Sequence, residues 1–471
     1  MPPITSTKLR QLVHAILVTT MAMLGVTGCG SDDSDGSPQS GLLQLINGLN
    51  DTPTLAFEVR DSNGDVIGVE NSFGFQQASA LLVLPEGNYE VEFSFDAPGT
   101  GFEESLLISE IAVRADTINF GLLEGEFATA SLRWLETAES DVTAVKAEGE
   151  DNLLELRALN LSSSTAAVYV GDSSAAPAAD NLVATVATGN FSDSVTFVYD
   201  EDAEYRIRLT ADSSDDVLLE TNDVSFSPNS RSLVVVNDSV GPDSEGQAIW
   251  LVRDNGALRQ SNRLAQSGFQ LINAVQDATD AAVTVTRTTS QAELFTATMT
   301  PNDVSAFTQV DSGFVHVDVV APSTGTMSAS VNVSMDPDTA YAVLLAGSSL
   351  VDDGVSIRAN EIGLRKVANS VNIHIVNGLA EVDDVDFYAL GDGETVSASS
   401  PIASRVGYLD GLSFVLPARR YDLLVTTAGT NAILAGPVSI QPQGLQRYVV
   451  TISEAVGGGT PYILELALQD D

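Results

Sequence analysis

The feature that most constrains the fold of this chain is an internal repeat that occurs four times. Each copy opens with a similar segment, and the four openings are Leu42–Asp51, Leu153–Ser162, Gly268–Asp277 and Val371–Ala380. A second pattern follows in each copy, and its aromatic residues lie 116, 109 and 107 residues apart, at Tyr89, Tyr205, Phe314 and Tyr421. Self-similarity at a fixed period indicates homologous tandem units. The sequence therefore predicts four domains built to one plan.

Each copy alternates apolar and polar residues in the way that is typical of half-buried strands of antiparallel sheets. In Tyr89–Phe95, every second residue starting with Tyr89 is predicted to face the core. In Tyr205–Leu209 the same alternation predicts that Arg206 and Arg208 are exposed. About seven short strands in roughly 100 residues fit an immunoglobulin-like sandwich. We therefore expect an all-β chain, a tandem array of four Ig-like antiparallel β-sandwich domains.

The predicted domain boundaries fall where this alternation lapses. The expected units are a signal peptide at 1–28, a lipidated cysteine with an acidic tether at 29–41, and sandwich repeats at 42–139, 153–255, 268–361 and 371–471. The candidate linkers are 138–152, 256–267 and 362–370. These linkers are short and not rich in proline, so we expect a bent string of domains with limited flexing.

The first 28 residues have the features of a secretory signal peptide. Lys8 and Arg10 precede the apolar segment Leu12–Val26, whose 15 residues are too few for a membrane-spanning helix, which needs roughly 20. The next residues, through Cys29, resemble the lipobox of bacterial lipoproteins. This resemblance implies cleavage before Cys29 and acylation of its thiol and its new amino group. The alternative, an ordinary signal peptide followed by a chance cysteine, would leave an unpaired thiol in an oxidising compartment.

The resemblance to lipoproteins also carries an expectation about location. Several acyl chains hold a protein firmly at a membrane, whereas one chain holds it only marginally. Gly30 follows the cysteine, where an Asp often retains such lipoproteins in the inner membrane. We therefore expect a lipid anchor at Cys29 in the outer membrane of a Gram-negative bacterium. Both a periplasmic and an external position of the repeats are compatible with this expectation.

The charge of the chain excludes some classes of partner. The sequence has 64 acidic and 21 basic residues, a formal net charge of −43. Such a charge argues against nucleic acid and anionic lipid headgroups as partners. Because Cys29 is the only cysteine, no disulfide is predicted and each repeat must rely on its hydrophobic core.

Short motifs in the first and fourth copies carry a further resemblance. These motifs are Asn47-Gly48, Leu84–Tyr89, Asn377-Gly378, Val385–Tyr388 and Leu416–Ala418. They are similar to the pattern of a bacterial β-sandwich family, the domain of unknown function numbered four-three-nine-seven, although Arg419 stands where that family usually has glycine. The resemblance implies an Ig-like fold and a surface or periplasmic location, and the family brings no assigned catalytic residues.

Few side chains of this sequence could perform catalysis. Beyond the signal peptide the histidines are His316 and His374, each in a predicted strand of a different copy. A structural or solvent-facing role is more common for such histidines than a catalytic one. The sequence has no nucleophile elbow, paired histidine motif or phosphate-binding loop. We therefore predict no enzyme activity, no catalytic residues, no bound metal and no cofactor.

Carboxylates are the abundant reactive groups, and their densest useful clusters are Asp61–Asp65 and Glu381–Phe387. Calcium binding is one interpretation, because hard cations take oxygen ligands from closely spaced Asp and Asn. The favoured interpretation is a hairpin turn with solvated acids. A glycosidase, which also uses paired carboxylates, would need an aromatic cleft, whereas Trp134 and Trp250 lie in equivalent last strands and are predicted core residues.

These observations favour a non-catalytic lipoprotein of the cell envelope. It would display four sandwiches for adhesion, scaffolding or interaction with envelope proteins, with a protein or a glycan as partner. The alternative is a carbohydrate- or calcium-dependent binding module. Arg419 and Arg420 form a local basic spot that would meet an acidic partner or, as we favour, protect an edge strand from aggregation.

Overall fold

The computed structural model of the protein describes residues 39–96, 103–139, 152–211, 216–243, 246–320, 328–348 and 354–469. The predicted signal peptide, Cys29 and most of the acidic tether lie outside the described residues. So does most of the predicted linker at 138–152.

None of the described residues belongs to an apolar helix of membrane-spanning length.

Repeats 1 and 2 contain the first 17 strands. Those of repeat 1 are β1 Ser40–Asn47, β2 Leu55–Arg60, β3 Val66–Phe73, β4 Leu82–Pro85, β5 Gly87–Asp96, β6 Glu103–Val113, β7 Thr117–Glu124 and β8 Ser131–Ala138. Those of repeat 2 are β9 Leu153–Asn160, β10 Ala166–Asp172, β11 Leu182–Val186, β12 Val195–Val198, β13 Tyr205–Ala211, β14 Val217–Glu220, β15 Ser230–Asp238, β16 Gln247–Arg253 and β17 Gly256–Gln260.

Repeats 3 and 4 contain the other 16 strands. Those of repeat 3 are β18 Ser267–Asn273, β19 Ala281–Arg287, β20 Glu293–Met299, β21 Thr308–Val310, β22 Gly313–Val320, β23 Ser328–Met335, β24 Ala340–Gly347 and β25 Val355–Ile362. Those of repeat 4 are β26 Ser370–Asn377, β27 Val385–Leu390, β28 Ala403–Val406, β29 Gly411–Pro417, β30 Tyr421–Thr427, β31 Ile433–Ile440, β32 Gln446–Ser453 and β33 Ile463–Gln469.

All four repeats share one topology. The first, fourth, seventh and eighth strands form a sheet in the order 4-1-7-8, which we call the front sheet, and the other strands form a back sheet in the order 3-2-5-6. The first and seventh strands are parallel in every repeat, and the other neighbouring strands are antiparallel. Each repeat has its own hydrophobic core. The predicted class, an array of four Ig-like sandwiches, is confirmed.

The aromatic residue chosen for the third copy is not a core residue. Phe314 on β22 has 59% of its surface exposed, whereas Val315 is fully buried. Tyr89 on β5 is buried as predicted. Both strands start with a glycine, and the buried residue is the third in each. The pattern aligned Phe314 with Tyr89, although the residue equivalent to Tyr89 is Val315. Because successive residues of a strand point to opposite faces, this shift of one residue selected an exposed position instead of a core position.

The prediction that Arg208 is exposed is also wrong. Its side chain is 7% exposed and lies 2.8 Å from Glu220 Oε1. Its Nη2 also donates to the carbonyl of Ser173 at 2.7 Å. A guanidinium group can be buried when its donors are paired in this way, so alternation of residue types did not reveal its burial.

The second repeat extends beyond its predicted end at residue 255. Gly256–Gln260 pairs with β16 as a fifth strand of the front sheet. Gly256 has a φ of 129°, a conformation that permits the chain to reverse directly after β16. Part of the predicted linker at 256–267 is therefore a strand.

The repeats do not form the predicted string of separate domains. The outer faces of the front sheets of repeats 1 and 2 pack on each other and share one apolar cluster. The buried members are Leu42, Ile46, Ile118, Phe120, Leu122, Leu159, Leu233, Val235, Trp250 and Val252. Strands buried on both faces have nearly continuous apolar runs, and β1 is buried at seven of its eight residues.

Repeats 3 and 4 form an equivalent pair. Their front sheets share an apolar cluster whose buried members are Ile272, Ala274, Ala342, Leu344, Ala346, Val376 and Val449. Four sandwiches thus form two face-to-face pairs.

The two tryptophans differ in position although they lie in equivalent strands. Trp250 is fully buried in the cluster between repeats 1 and 2. Trp134 is half-buried against the internal core of repeat 1, and its Nε1 donates to Ser109 Oγ at 3.1 Å. Trp250 is therefore a core residue, but its core is the apolar cluster that repeats 1 and 2 share. Trp134 is only half-buried, so the prediction is only partly correct for it.

Candidate binding cleft between the repeats

Each first strand ends in a fully buried asparagine. The four residues are Asn47, Asn160, Asn273 and Asn377. In each, Oδ1 accepts a hydrogen bond from the backbone N–H two residues later, at 2.9–3.1 Å. In each, Nδ2 donates to the carbonyl of the last residue of the third strand, at 2.8–3.3 Å. The asparagine therefore joins the front sheet of its repeat to the back sheet.

The residue after this asparagine lies at the interface between paired repeats. A Cβ atom on Gly48 would lie 2.7 Å from Leu161 Cδ1 of repeat 2. A Cβ atom on Gly378 would lie 2.8 Å from Ala274 Cβ of repeat 3. Equivalent positions thus meet in both pairs. The Asn-Gly motif has a structural role, to hold the two sheets together and to allow close approach of the neighbouring repeat.

Polar contacts join the second repeat to the third. Arg259 on β17 forms an ion pair with Asp338 in the turn before β24. The pKa of Asp338 is raised by burial, and the Arg259 charge opposes that effect. Gln309 on β21 donates to the carbonyl of Pro242 in repeat 2.

The predicted linker at 362–370 binds repeat 1. Arg365 Nη1 donates to the carbonyls of Asn50 at 3.1 Å and Thr52 at 2.9 Å. The Ala368 amide donates to the carbonyl of Asp51 at 2.6 Å. Burial lowers the pKa of Arg365, and the nearby Asp51 charge opposes that effect. We call Arg365–Ala368 the clasp, because it closes the four repeats into a cycle.

A cleft of about 730 Å³ lies where the four repeats and the clasp meet. Its lining includes Asp51 of repeat 1, Pro242 of repeat 2, Phe307 and Gln309 of repeat 3, Arg365 and Lys366 of the clasp, and Arg447 and Gln469 of repeat 4. Its volume is within the roughly 300–1,000 Å³ of ligand pockets, which often lie between domains. The cleft is therefore the candidate binding site of the described chain.

Sequence reasoning missed this cleft. Its residues come from six separate segments, and the contact between Asn50 and Arg365 spans 315 positions. One local signal was present: Arg365 and Lys366 are adjacent basic residues in a strongly acidic chain. Only the closed arrangement of the repeats shows what surrounds them.

The acidic cluster Asp61–Asp65 forms the turn between β2 and β3. Asp61 Oδ1 accepts hydrogen bonds from the amides of Asn63 and Asp65, both at 2.9 Å. The amide of Asp65 is the main cause of the lowered pKa of Asp61. Gly64 has a φ of 84°, which suits a hairpin turn. This geometry agrees with the favoured interpretation of a turn.

The acidic cluster Glu381–Phe387 contains one buried carboxylate, Asp386. Its Oδ1 accepts from the Arg405 amide and its Oδ2 from the Gly429 amide, both at 2.8 Å. Both oxygens therefore stabilise the loops next to β27. Across the described ranges, no three His, Cys, Asp or Glu side chains are grouped so that they could hold a metal ion.

The basic spot at Arg419 and Arg420 is matched by acidic groups of its own repeat. Arg420 Nη1 lies 3.4 Å from Asp392 Oδ1. The guanidinium of Arg419 lies 5.1 Å from the centre of the Tyr421 ring and 3.9 Å from Glu394 Oε1. Both arginines lie between β29, an edge strand of the front sheet, and β30. That their charges protect this edge strand from aggregation stays a prediction.

The two predicted histidines lie in separate strands, as expected. His316 on β22 is half-exposed, with Nδ1 2.8 Å from Asn332 Oδ1 and Nε2 3.2 Å from Asp318. His374 on β26 is 4% exposed, and its Nδ1 lies 3.0 Å from Ser413 Oγ. It lies on the same face of β26 as Val376, which packs against repeat 3.

Acid should destabilise the protein through His374. Burial lowers its pKa to about 4, whereas an unfolded histidine has a pKa near 6.5. The unfolded chain therefore binds this proton first, and stability is lost as the pH falls from about 6.5 toward 4, by up to about 3 kcal/mol. Urea denaturation at several pH values, compared with His374→Gln, checks this. Equal pH dependence of the two proteins over that range would contradict the assignment.

Comparisons with known proteins find structural likeness without sequence similarity. No family model matches the chain, and no curated protein matches it. The resemblance of repeats 1 and 4 to the numbered family of unknown function therefore stays a prediction.

Among solved structures, the Bacillus anthracis TIE protein matches over 95% of this chain and 78% of its own, at 8% identity and a TM-score of 0.17. A "putative cell adhesion protein" from Parabacteroides distasonis matches over 44% of this chain and all of its own, at 11% identity and a TM-score of 0.14. A second "putative cell adhesion protein", from Bacteroides eggerthii, matches over 70% and 97%, at 10% identity and a TM-score of 0.16. TM-scores this low carry no inference about the function of this chain.

Proposed function

We propose that this protein is a non-catalytic lipoprotein of the cell envelope that displays four sandwiches, as two rigid pairs joined by polar contacts, for adhesion, scaffolding or interaction with other envelope proteins. Its anchor is a lipid on Cys29, and its membrane is the outer membrane of a Gram-negative bacterium. The proposal joins the lipobox-like sequence before Cys29 to the closed arrangement of the repeats.

The closed arrangement is the observation that supports a display function most strongly. Apolar interfaces join repeat 1 to repeat 2 and repeat 3 to repeat 4, and the Arg259–Asp338 ion pair and the clasp join these two pairs. A large apolar interface resists relative motion of domains, whereas a short polar contact does not. Binding loops on a rigid scaffold lose less conformational entropy when they bind. Each rigid pair of sandwiches is therefore a good platform for contacts with a partner.

Replacing Cys29 by serine should release the protein from the membrane. Serine cannot form the thioether to which the diacyl group is attached, so the chain loses its anchor. The measurement is fractionation of cells that express the wild type, Cys29→Ser, or the control Ser34→Ala. We expect only Cys29→Ser in the soluble fraction. Membrane association of Cys29→Ser equal to that of the wild type would refute the anchor.

Protease treatment of intact cells tests display directly. If the wild-type repeats are degraded while periplasmic markers survive, the body faces the exterior and adhesion is supported. If the repeats are protected until the outer membrane is permeabilised, adhesion is refuted and interaction within the periplasm becomes the function to test.

A further inference from the structure

The outer face of the back sheet of repeat 3 differs from the equivalent faces of the other repeats. On β22 the alternation that buries Val315 and Val317 turns Phe314, His316 and Asp318 outward. Their cross-strand neighbours are uncharged polar residues, namely Thr284 and Thr286 on β19 and Ser330, Asn332 and Ser334 on β23. We call the three outward residues of β22 and these five neighbours the Phe314 face.

Loop residues fill the equivalent face in repeats 2 and 4. In repeat 2, Arg208 on β13 is buried on this face and donates to the carbonyl of Ser173 in the loop after β10. In repeat 4, Leu424 on β30 is buried there, and Val396 of the loop after β27 packs against its apolar cluster. Neither face is therefore open to a ligand.

The equivalent face of repeat 1 is open but charged. Arg60 on β2 forms ion pairs there with Glu58, Glu90 and Glu92. The Phe314 face, in contrast, contains one carboxylate, that of Asp318, and no Lys or Arg side chain. The whole chain has a formal net charge of −43, so its field repels an anionic ligand but not an uncharged one. An open and nearly uncharged polar face in such a chain therefore suits an uncharged polar ligand.

His316 holds two polar side chains of the Phe314 face in position. Its Nδ1 lies 2.8 Å from Asn332 Oδ1, and its Nε2 lies 3.2 Å from Asp318 Oδ1. The Asn332 Nδ2 and the Asp318 Oδ2 make no hydrogen bond with any residue that the structure describes. The first is a donor and the second an acceptor, and side chains that are already ordered lose less entropy on binding. They present the donor and the acceptor that sugar hydroxyl groups need.

Phe314 supplies an apolar platform on the same row of side chains. It is 59% exposed, and its Cα lies about 13 Å from that of Asp318, because a strand rises about 3.3 Å per residue. An aromatic ring has a large apolar surface, which matches the C–H face of a pyranose, whereas hydroxyl groups lie at the edge of the pyranose. One aromatic and several hydrogen-bonding side chains in a straight row therefore fit an extended oligosaccharide.

From this arrangement we infer that the Phe314 face binds an uncharged, extended β-linked oligosaccharide. One sugar ring stacks on Phe314, and hydroxyl groups farther along the chain bond to Asn332 and Asp318. This inference deepens the proposed display for adhesion and rests on it for its biological role. Binding by the purified protein needs no membrane, so failure to bind refutes this site and leaves the proposed lipoprotein standing. Loss of the anchor in cell fractionation would refute the lipoprotein and leave the site standing.

Isothermal titration calorimetry of the purified protein with three hexasaccharides tests the inference. Cellohexaose is uncharged and extended. Maltohexaose is uncharged but coiled, because its linkages are α, and β-1,4-linked hexaglucuronate has the backbone of cellohexaose with a carboxylate on each ring. For an exposed site of this kind we expect a dissociation constant for cellohexaose on the order of 0.1–1 mM. Binding of the other two should be at least tenfold weaker.

Three variants show whether binding occurs at the Phe314 face. Phe314→Ala should weaken cellohexaose binding at least tenfold, and Asn332→Ala at least threefold. Both residues are exposed, so both variants should fold normally. Val198→Ala is the matched control, because it removes an apolar side chain that is 63% exposed on β12 of repeat 2. It should change binding less than twofold.

Each other result would overturn the inference. No binding of cellohexaose at about fivefold the weakest expected constant refutes the site. Equal binding of maltohexaose refutes the preference for an extended chain, and equal binding of hexaglucuronate refutes the preference for an uncharged one. Unchanged binding in Phe314→Ala or in Asn332→Ala refutes the location, and so does an equal loss in Val198→Ala.

Discussion

Replacing Trp250 by alanine should destabilise the pair of repeats 1 and 2 by about 3–5 kcal/mol, the usual cost of removing a large buried aromatic side chain. Trp250 is fully buried in the apolar cluster that both repeats share. The substitution would open a cavity at this interface and remove apolar contacts to both sheets. Urea denaturation of the purified protein, in which the unfolding transition of repeats 1 and 2 is followed, measures the effect.

Trp250→Phe is the matched control. The Nε1 of Trp250 is buried without a hydrogen-bond partner in the described part of the chain, so phenylalanine loses no hydrogen bond. It should cost less than about 1.5 kcal/mol, because most of the apolar volume is kept. A cost below about 1 kcal/mol for Trp250→Ala would mean that the two front sheets do not pack together in solution.

Replacing Asn377 by alanine should destabilise repeat 4 by about 2–4 kcal/mol. The substitution leaves the Leu379 amide and the Val406 carbonyl without their partner inside the protein. Each unsatisfied buried polar group costs about 1–3 kcal/mol. Urea denaturation measures the change in the unfolding free energy.

The exposed Asn431 in the same repeat provides the control. Asn431→Ala should change the unfolding free energy by less than about 0.5 kcal/mol. If Asn377→Ala behaves like Asn431→Ala, then the shared asparagine does not join the two sheets, and the Asn-Gly motif needs another explanation.

The sandwich class could be predicted because its signals are local. Alternation in β5 correctly placed Tyr89, Val91 and Phe93 in the core. The opening segment and the aromatic pattern recur in one order, and this recurrence correctly indicated one plan for all four units. Such signals need no knowledge of how the units contact one another.

The arrangement of the repeats could not be predicted in this way. Leu42–Ile46, which is apolar except for Gln44, indicates a strand buried on both faces. The alternation of apolar and polar residues elsewhere nevertheless led to the prediction of a string of separate sandwiches. The sequence around Trp250 did not show whether this side chain faces the core of its own repeat or the neighbouring repeat. The clasp has the composition of a linker, because Arg365 becomes half-buried only when the distant loop at Asn50 and Thr52 reaches it.

Hydrogen exchange at the Ala368 amide tests the closed cycle most directly. This amide donates to Asp51 across the clasp, whereas the Leu81 amide bonds Asp254 between repeats 1 and 2, and the Gly457 amide bonds Gln276 between repeats 4 and 3. The closed cycle predicts slow exchange at all three positions. It also predicts that Arg365→Gln speeds exchange at Ala368 and leaves the other two unchanged. Exchange of the wild-type Ala368 amide at the rate of an unstructured peptide, with Leu81 and Gly457 protected, would contradict the closed cycle and leave the two pairs of sandwiches joined only between repeats 2 and 3.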